Sequence, residues 1–149
     1  MSKFFQALLS GVFFTFILDF FLFLGIKLHY IDKYEINVYY NILFADNQNI
    51  YMFTLLSLLI GYITLYTSIK TALIFVGSLF ILVFATLIPS IGEEVAKAIL
   101  MQKNITLQTK RFSYHGDLLY SGRKDVTFFD HELKKVIILP KEKLQGFQR

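Results

Sequence analysis

The chain has no cysteine, no tryptophan and only two prolines in 149 residues. Without cysteine it has no disulfide framework, no thiolate metal site and no cysteine nucleophile. Charge is scarce as well, at 17% of residues against roughly 25% in ordinary soluble domains. The shortage is local. From Phe4 to Ile91 the only Asp, Glu, Lys or Arg side chains are Asp19, Lys27, Asp32, Lys33, Glu35, Asp46 and Lys70, whereas eleven of the fifteen Lys/Arg lie beyond Gly92. The chain therefore reads as two objects joined near Gly92.

Chemistry-bearing motifs are missing too. There is no nucleophile elbow, no zincin helix and no glycine-rich phosphate loop. The three histidines, His29, His115 and His131, do not pair at metal-ligand spacing, and Asp130-His131-Glu132 coincides with a turn signal. No enzyme activity, cofactor or metal is expected.

What is present is apolar length. Phe4 to Leu28 is nearly unbroken, and a bilayer core needs about 20 apolar residues in a helix. The run is too long for a signal peptide, and no small-x-small cleavage site follows it. Ile50–Ile69 and Ala72–Ile91 are two further candidate spans, separated by Lys70 and Thr71. A hairpin turning at Lys70 is expected, since one unbroken helix would bury that ammonium. Pro89 and Gly92 mark the end of the third span. The fold class expected is a membrane all-α protein, with three transmembrane helices and a small β-hairpin-rich C-terminal tail.

Residues 29–49, between the first two spans, hold Tyr30, Tyr34, Tyr39 and Tyr40. Tyrosine favours the membrane–water boundary, so this segment reads as an interfacial loop with a short helix over Glu35–Phe44. Residues 92–103 read as a helical extension of the third span. From residue 104 to 149 short β-branched and aromatic runs alternate with turn signals at His115-Gly116-Asp117, Ser121-Gly122 and Asp130–Lys134. These predict two hairpins. Isolated hairpins are marginal in water, so the tail calls for a partner surface: the bilayer, a second copy or another protein.

Asp19 is the candidate site residue, because an ionisable group in mid-span costs at least about 2.5–3.5 kcal/mol. Gly11, Thr15 and Asp19 share one helix face, and the second span carries Ser57, Gly61 and Thr64 at helical spacing. Ser57 and Gly61 form a small-xxx-small pair that permits close helix approach. Counting inward from the shared membrane side sets Asp19 at the depth of Ser57–Tyr62, with Thr86 at the same level. Three readings compete: Asp19 holds helices together, it meets a polar or basic group of a partner, or it carries protons.

Among the basic residues, Lys97, Lys103, Lys110 and Arg111 are candidates for contact with lipid headgroups or a partner. The remaining basic pairs are interleaved with acids, as on a solvated face, and nucleic-acid binding is not expected. Counted near span ends, Lys/Arg place the tail in the cytoplasm of a protein of the cell inner membrane. The function expected is that of a small non-enzymatic accessory or assembly subunit, bound through helices and tail to a larger inner-membrane complex. The alternative is an ion- or proton-coupled oligomeric channel or transport component built around Asp19. Membrane lipid is a partner in both, together with a larger integral membrane protein or a second copy of the chain.

Overall fold

A computed structural model describes residues 2–110 and 112–144. The first helix, α1 (Lys3–Ile26), begins at Ser2, whose hydroxyl accepts the Phe5 amide. It continues without a break into a π-helical turn, Lys27–Ile31. Together they form a 29-residue helix, about 43 Å long at 1.5 Å per residue. That exceeds the roughly 30 Å hydrocarbon core.

The other two apolar runs fold differently from the three-span expectation, which is corrected here. Helices α3 (Ile50–Tyr66) and α4 (Ile69–Ala85) have 17 residues each, about 25 Å of helix. Among the described residues, only α1 with its π turn is clearly long and apolar enough by itself to cross a membrane. Apolar sequence continues past both short helices, but the backbone turns away. The helix α2 (Tyr40–Asn47) meets α3 at 85°, and α4 meets α5 (Pro89–Leu100) at 94°. Capping chemistry decides where the helices stop. The Asn49 side-chain oxygen Oδ1 accepts the Tyr51 and Met52 amides at 3.0 and 3.2 Å, starting α3. Ser68 caps α4 through the Thr71 amide, so the hairpin turns at Thr67-Ser68 and Lys70 lies in the first turn of α4. Pro89, with no amide hydrogen to lose, occupies the first turn of α5.

The described residues thus form five α-helices and a four-stranded antiparallel sheet, and not an all-α membrane bundle with a small tail. The short strand-like runs of the tail form β1 (Gln102–Gln108), β2 (Ser113–Ser121), β3 (Asp125–Asp130) and β4 (Lys135–Pro140), in the order β1-β2-β3-β4. His115-Gly116-Asp117 is not a turn but the middle of β2. A Cβ on Gly116 would lie 1.9 Å from the Phe129 carbonyl oxygen, so glycine is there for close approach. The turn at Asp130–Lys134 does form: the Asp130 carboxylate accepts the Glu132 and Leu133 amides, and Lys134 takes φ 51°. Beyond the sheet's ends Thr109 pairs with Leu144, so the sheet curls around Leu107, Leu118, Val126 and Phe128.

The tail also finds its partner within the chain. One core unites Phe23, Ile26, Tyr30 and Ile31 at the end of α1 with Ile36, Leu43, Ala96, Leu100 and Leu119. Within residues 29–49 the short helix forms at Tyr40–Asn47 rather than Glu35–Phe44, and Leu43 is fully buried. The fully buried Tyr30 donates its hydroxyl to the Leu119 carbonyl at 2.9 Å. Leu119 lies where the β2–β3 register shifts, between Leu118 and Tyr120, a place where ladder bonding is locally disrupted.

Candidate functional site

Helix α3 runs antiparallel to α1, and the small residues bring the two backbones together. A Cβ on Gly11 would lie 1.8 Å from the Ser57 carbonyl oxygen, and one on Gly61 would lie 2.2 Å from that of Ala7. Thr15 and Ser57 are buried in the described fold, and their hydroxyls have no hydrogen-bond partner among the described residues. Thr64 spends its hydroxyl on its own helix, donating to the Ile60 and Gly61 carbonyls at 2.8 and 3.0 Å. On the other flank α4 runs parallel to α1, with edge-on ring pairs Phe14–Phe80 and Phe21–Phe84.

Asp19 does not join this seam. Its carboxylate accepts the side-chain amide of Gln48 at 2.9 Å, at the corner between α2 and α3. Thr86 lies farther along α1, against Gly25, where a Cβ would be 2.5 Å from its hydroxyl oxygen. The expected depth matching fails because α1 runs past the start of α3 to reach the sheet. Asp19 sits where the helical layer meets the head formed by α2, α5 and the sheet. It lines a groove of about 510 Å³ whose other walls include Leu22, Phe23, Met52, Leu55 and Leu59.

Around the same junction, ion pairs tie the head down. Arg123, in the β2–β3 turn, donates from Nε and Nη2 to the two oxygens of Asp46 at 2.7 and 2.6 Å. This guanidinium holds the Asp46 carboxyl below the usual carboxylate range. Glu93 on α5 takes Lys33 at 2.6 Å and Lys97 at 3.0 Å, and these two ammonium groups hold its carboxyl down. The pairing of Lys97 with Glu94 and Glu93 raises the lysine in turn. His29 bonds to the Leu87 carbonyl at 2.8 Å across the α4–α5 corner.

Of the basic candidates, Lys97 is thus engaged in the α5 ion pairs. Lys103 and Lys110 are exposed on the sheet side, and Arg111 lies outside the described residues. On the sheet, His115 bonds to Thr106 and His131 to Asp117. Burial pushes Asp117 up, but the Asn104 amide and His131 outweigh it, and the net shift is downward. Among the described residues no group of three or more His, Cys, Asp or Glu is placed to hold a metal ion.

Sequence reasoning missed Gln48, Arg123 and Tyr30. Gln48 is an unremarkable polar residue between helices, Arg123 one of several basic pairs, and Tyr30 one of four tyrosines read as interfacial. Comparison was made with protein-family models, curated proteins and solved structures. Nothing matches.

Proposed function

We propose that the chain is a non-enzymatic membrane accessory subunit, in which a bilayer-embedded helical layer holds a folded head at a fixed place on the membrane surface for a larger integral membrane complex. The observation that carries this reading is the exposed apolar surface of the helices. Phe4, Phe13 and Phe16 on α1, Tyr51, Leu55 and Tyr62 on α3, and Ile69, Leu73, Ile74 and Ile81 on α4 all project outward. Contiguous apolar patches beyond a few hundred Å² mark membrane or protein contact. In this reading α1 crosses the bilayer while α3 and α4 lie against it in the apolar layer. Lys27, Lys33, Lys97 and Lys103 at the head end outnumber Lys3 and Lys70 at the other, which favours a cytoplasmic head.

The docked head supports a role in positioning. Hydrogen bonds, ion pairs and a shared core fix its orientation to α1, as an adaptor requires. The ion-coupled reading has less behind it: Asp19 bonds to Gln48 at the edge of the helical layer, and the Thr15 and Ser57 hydroxyls bond to nothing among the described residues. The test is native electrophoresis of the chain, expressed at its natural level and solubilised in mild detergent. A species well above 17.4 kDa, containing a second membrane polypeptide in fixed proportion, is expected. A homo-oligomer that alone conducts ions in liposomes would overturn the proposal in favour of the channel reading.

A further inference from the structure

The junction between helices and head carries a second cavity, of about 420 Å³, next to the Asp19 groove. Both cavities fall in the size range of ligand sites, about 300–1,000 Å³. They share Asn47 and Ile99 as lining residues, so they adjoin on the surface and one elongated ligand can occupy both as a single channel. Its two halves differ in chemistry. The upper half is lined by Arg123 and Lys141 with one carboxylate, Asp46, and by Ser121 and Asn47, which leaves the two cations in excess. The lower half runs down the outside of α1 and α3 between Leu22, Met52, Leu55 and Leu59.

We propose that this channel is a binding site for one anionic phospholipid of the bilayer, with its phosphate on Arg123 at the head and an acyl chain in the α1–α3 groove. This rests on the membrane reading given above and names a ligand for that surface. Arg123 is equipped for the task even while paired. A guanidinium has five N–H donors, and Asp46 takes two of them through Nε and Nη2. Three donors remain on a side chain 63% exposed, and a second acceptor can bridge to them in the same plane. Ser121 lines the same half, and its buried hydroxyl has no hydrogen-bond partner among the described residues. The Asn47 side-chain amide donates to the Leu43 carbonyl, which leaves its own oxygen and second hydrogen for a ligand.

Charge fixes the direction in which the lipid lies. The carboxylate of Asp19, held by Gln48, stands in the apolar half. A phosphate placed there would be repelled, so the headgroup belongs at the Arg123 end. The chain then descends along side chains that already face lipid.

The test begins with reconstitution into nanodiscs of phosphatidylcholine doped with phosphatidylglycerol. Failure to incorporate would refute the membrane reading, and the site with it, before any lipid is assayed. The incorporated protein is then released in mild detergent and examined by native mass spectrometry. One retained phosphatidylglycerol per chain, in preference to phosphatidylcholine, is expected. Arg123→Gln should lower that retention about tenfold, the effect of losing roughly one charge-assisted contact, and Arg123→Lys should restore part of it. Leu55→Trp, on an exposed position that blocks the groove without touching the core, should lower retention as well. Equal retention of the two lipids, unaffected by Arg123→Gln, would leave only an unselective lipid belt and overturn the proposal. Displacement of the lipid by millimolar inorganic phosphate, with Leu55→Trp silent, would also overturn it, because the site would then serve a free anion.

Discussion

Substituting alanine for Gly11 should drive α1 and α3 apart. The added Cβ would stand 1.8 Å from the backbone oxygen of Ser57, and ordinary contact begins near 3.4 Å. The helices must therefore separate by about 1.6 Å along that line, because the obstacle is backbone and cannot rotate away. Overpacking of this kind costs about 1–3 kcal/mol, which for a chain of this size is roughly 3–9 °C in Tm. Gly77 provides the internal control. It lies in the middle of α4, and nothing stands within 4 Å of its added Cβ. Gly77→Ala should be neutral or slightly stabilising, since alanine is the better helix former by about 0.8–1 kcal/mol. Circular dichroism melts of the two variants in one detergent compare them directly. Equal shifts would refute the close approach of the helices at Gly11.

Other perturbations probe the junction with the head. Tyr30→Phe removes the buried bond to the Leu119 carbonyl and should cost about 1–3 kcal/mol, the penalty for an unsatisfied buried acceptor; hydrogen exchange should rise in β2 and in the turn at Lys27–Ile31 together, and a rise in neither would count against this contact. Asp19→Asn preserves an acceptor for Gln48 and should leave complex assembly intact, whereas Asp19→Leu should loosen the α1–α2 corner; loss of function with Asn while assembly survives would instead favour proton coupling. Acidification should weaken the docking of the head. Asp46 and Glu93 are held below their usual values by Arg123 and by Lys33 and Lys97, so the stability they contribute is fully present above the ordinary carboxylate range, near pH 4, and is lost as pH falls through their lowered values. Melts across pH 2 to 6 should show this decline, and Arg123→Gln with Lys33→Gln should flatten it.

The sequence was legible where one local force dominates. The length and composition of α1 follow from its unbroken apolar run, and the Gly11, Ser57 and Gly61 spacing pointed to a face where helices touch closely. The turn at Asp130–Lys134 follows from the short Asp130 side chain, which accepts two backbone amides, and Ser121-Gly122 marks the end of β2, where the Gly122 amide donates to the Asp125 carbonyl. What escaped was set at long range. The apolar stretches around α3 and α4 look long enough to be full spans, but Asn49, Ser68 and Pro89 start and stop the helices inside them. The depth of Asp19 could not be counted from the membrane edge, because α1 overshoots α3 to support the sheet. Gly116 resembles a turn residue and is one of closest approach. The tail looked in need of an outside partner because its hairpins were counted alone, while the surface they cover comes from Tyr30, Leu43 and Ala96, far away in sequence.

The most direct test of the bilayer-embedded helical layer uses the absence of tryptophan from the natural chain. Single tryptophans are placed at Phe13 on α1, at Leu73 on α4 and at Ile138 on the sheet, all exposed positions. Each variant is reconstituted into vesicles whose acyl chains carry bromine, a contact quencher of indole fluorescence. Strong quenching at positions 13 and 73, with position 138 unaffected, is the expected result. Unquenched emission at 13 and 73, or quenching equal at all three sites, would contradict the placement of the helices in lipid and the head in water.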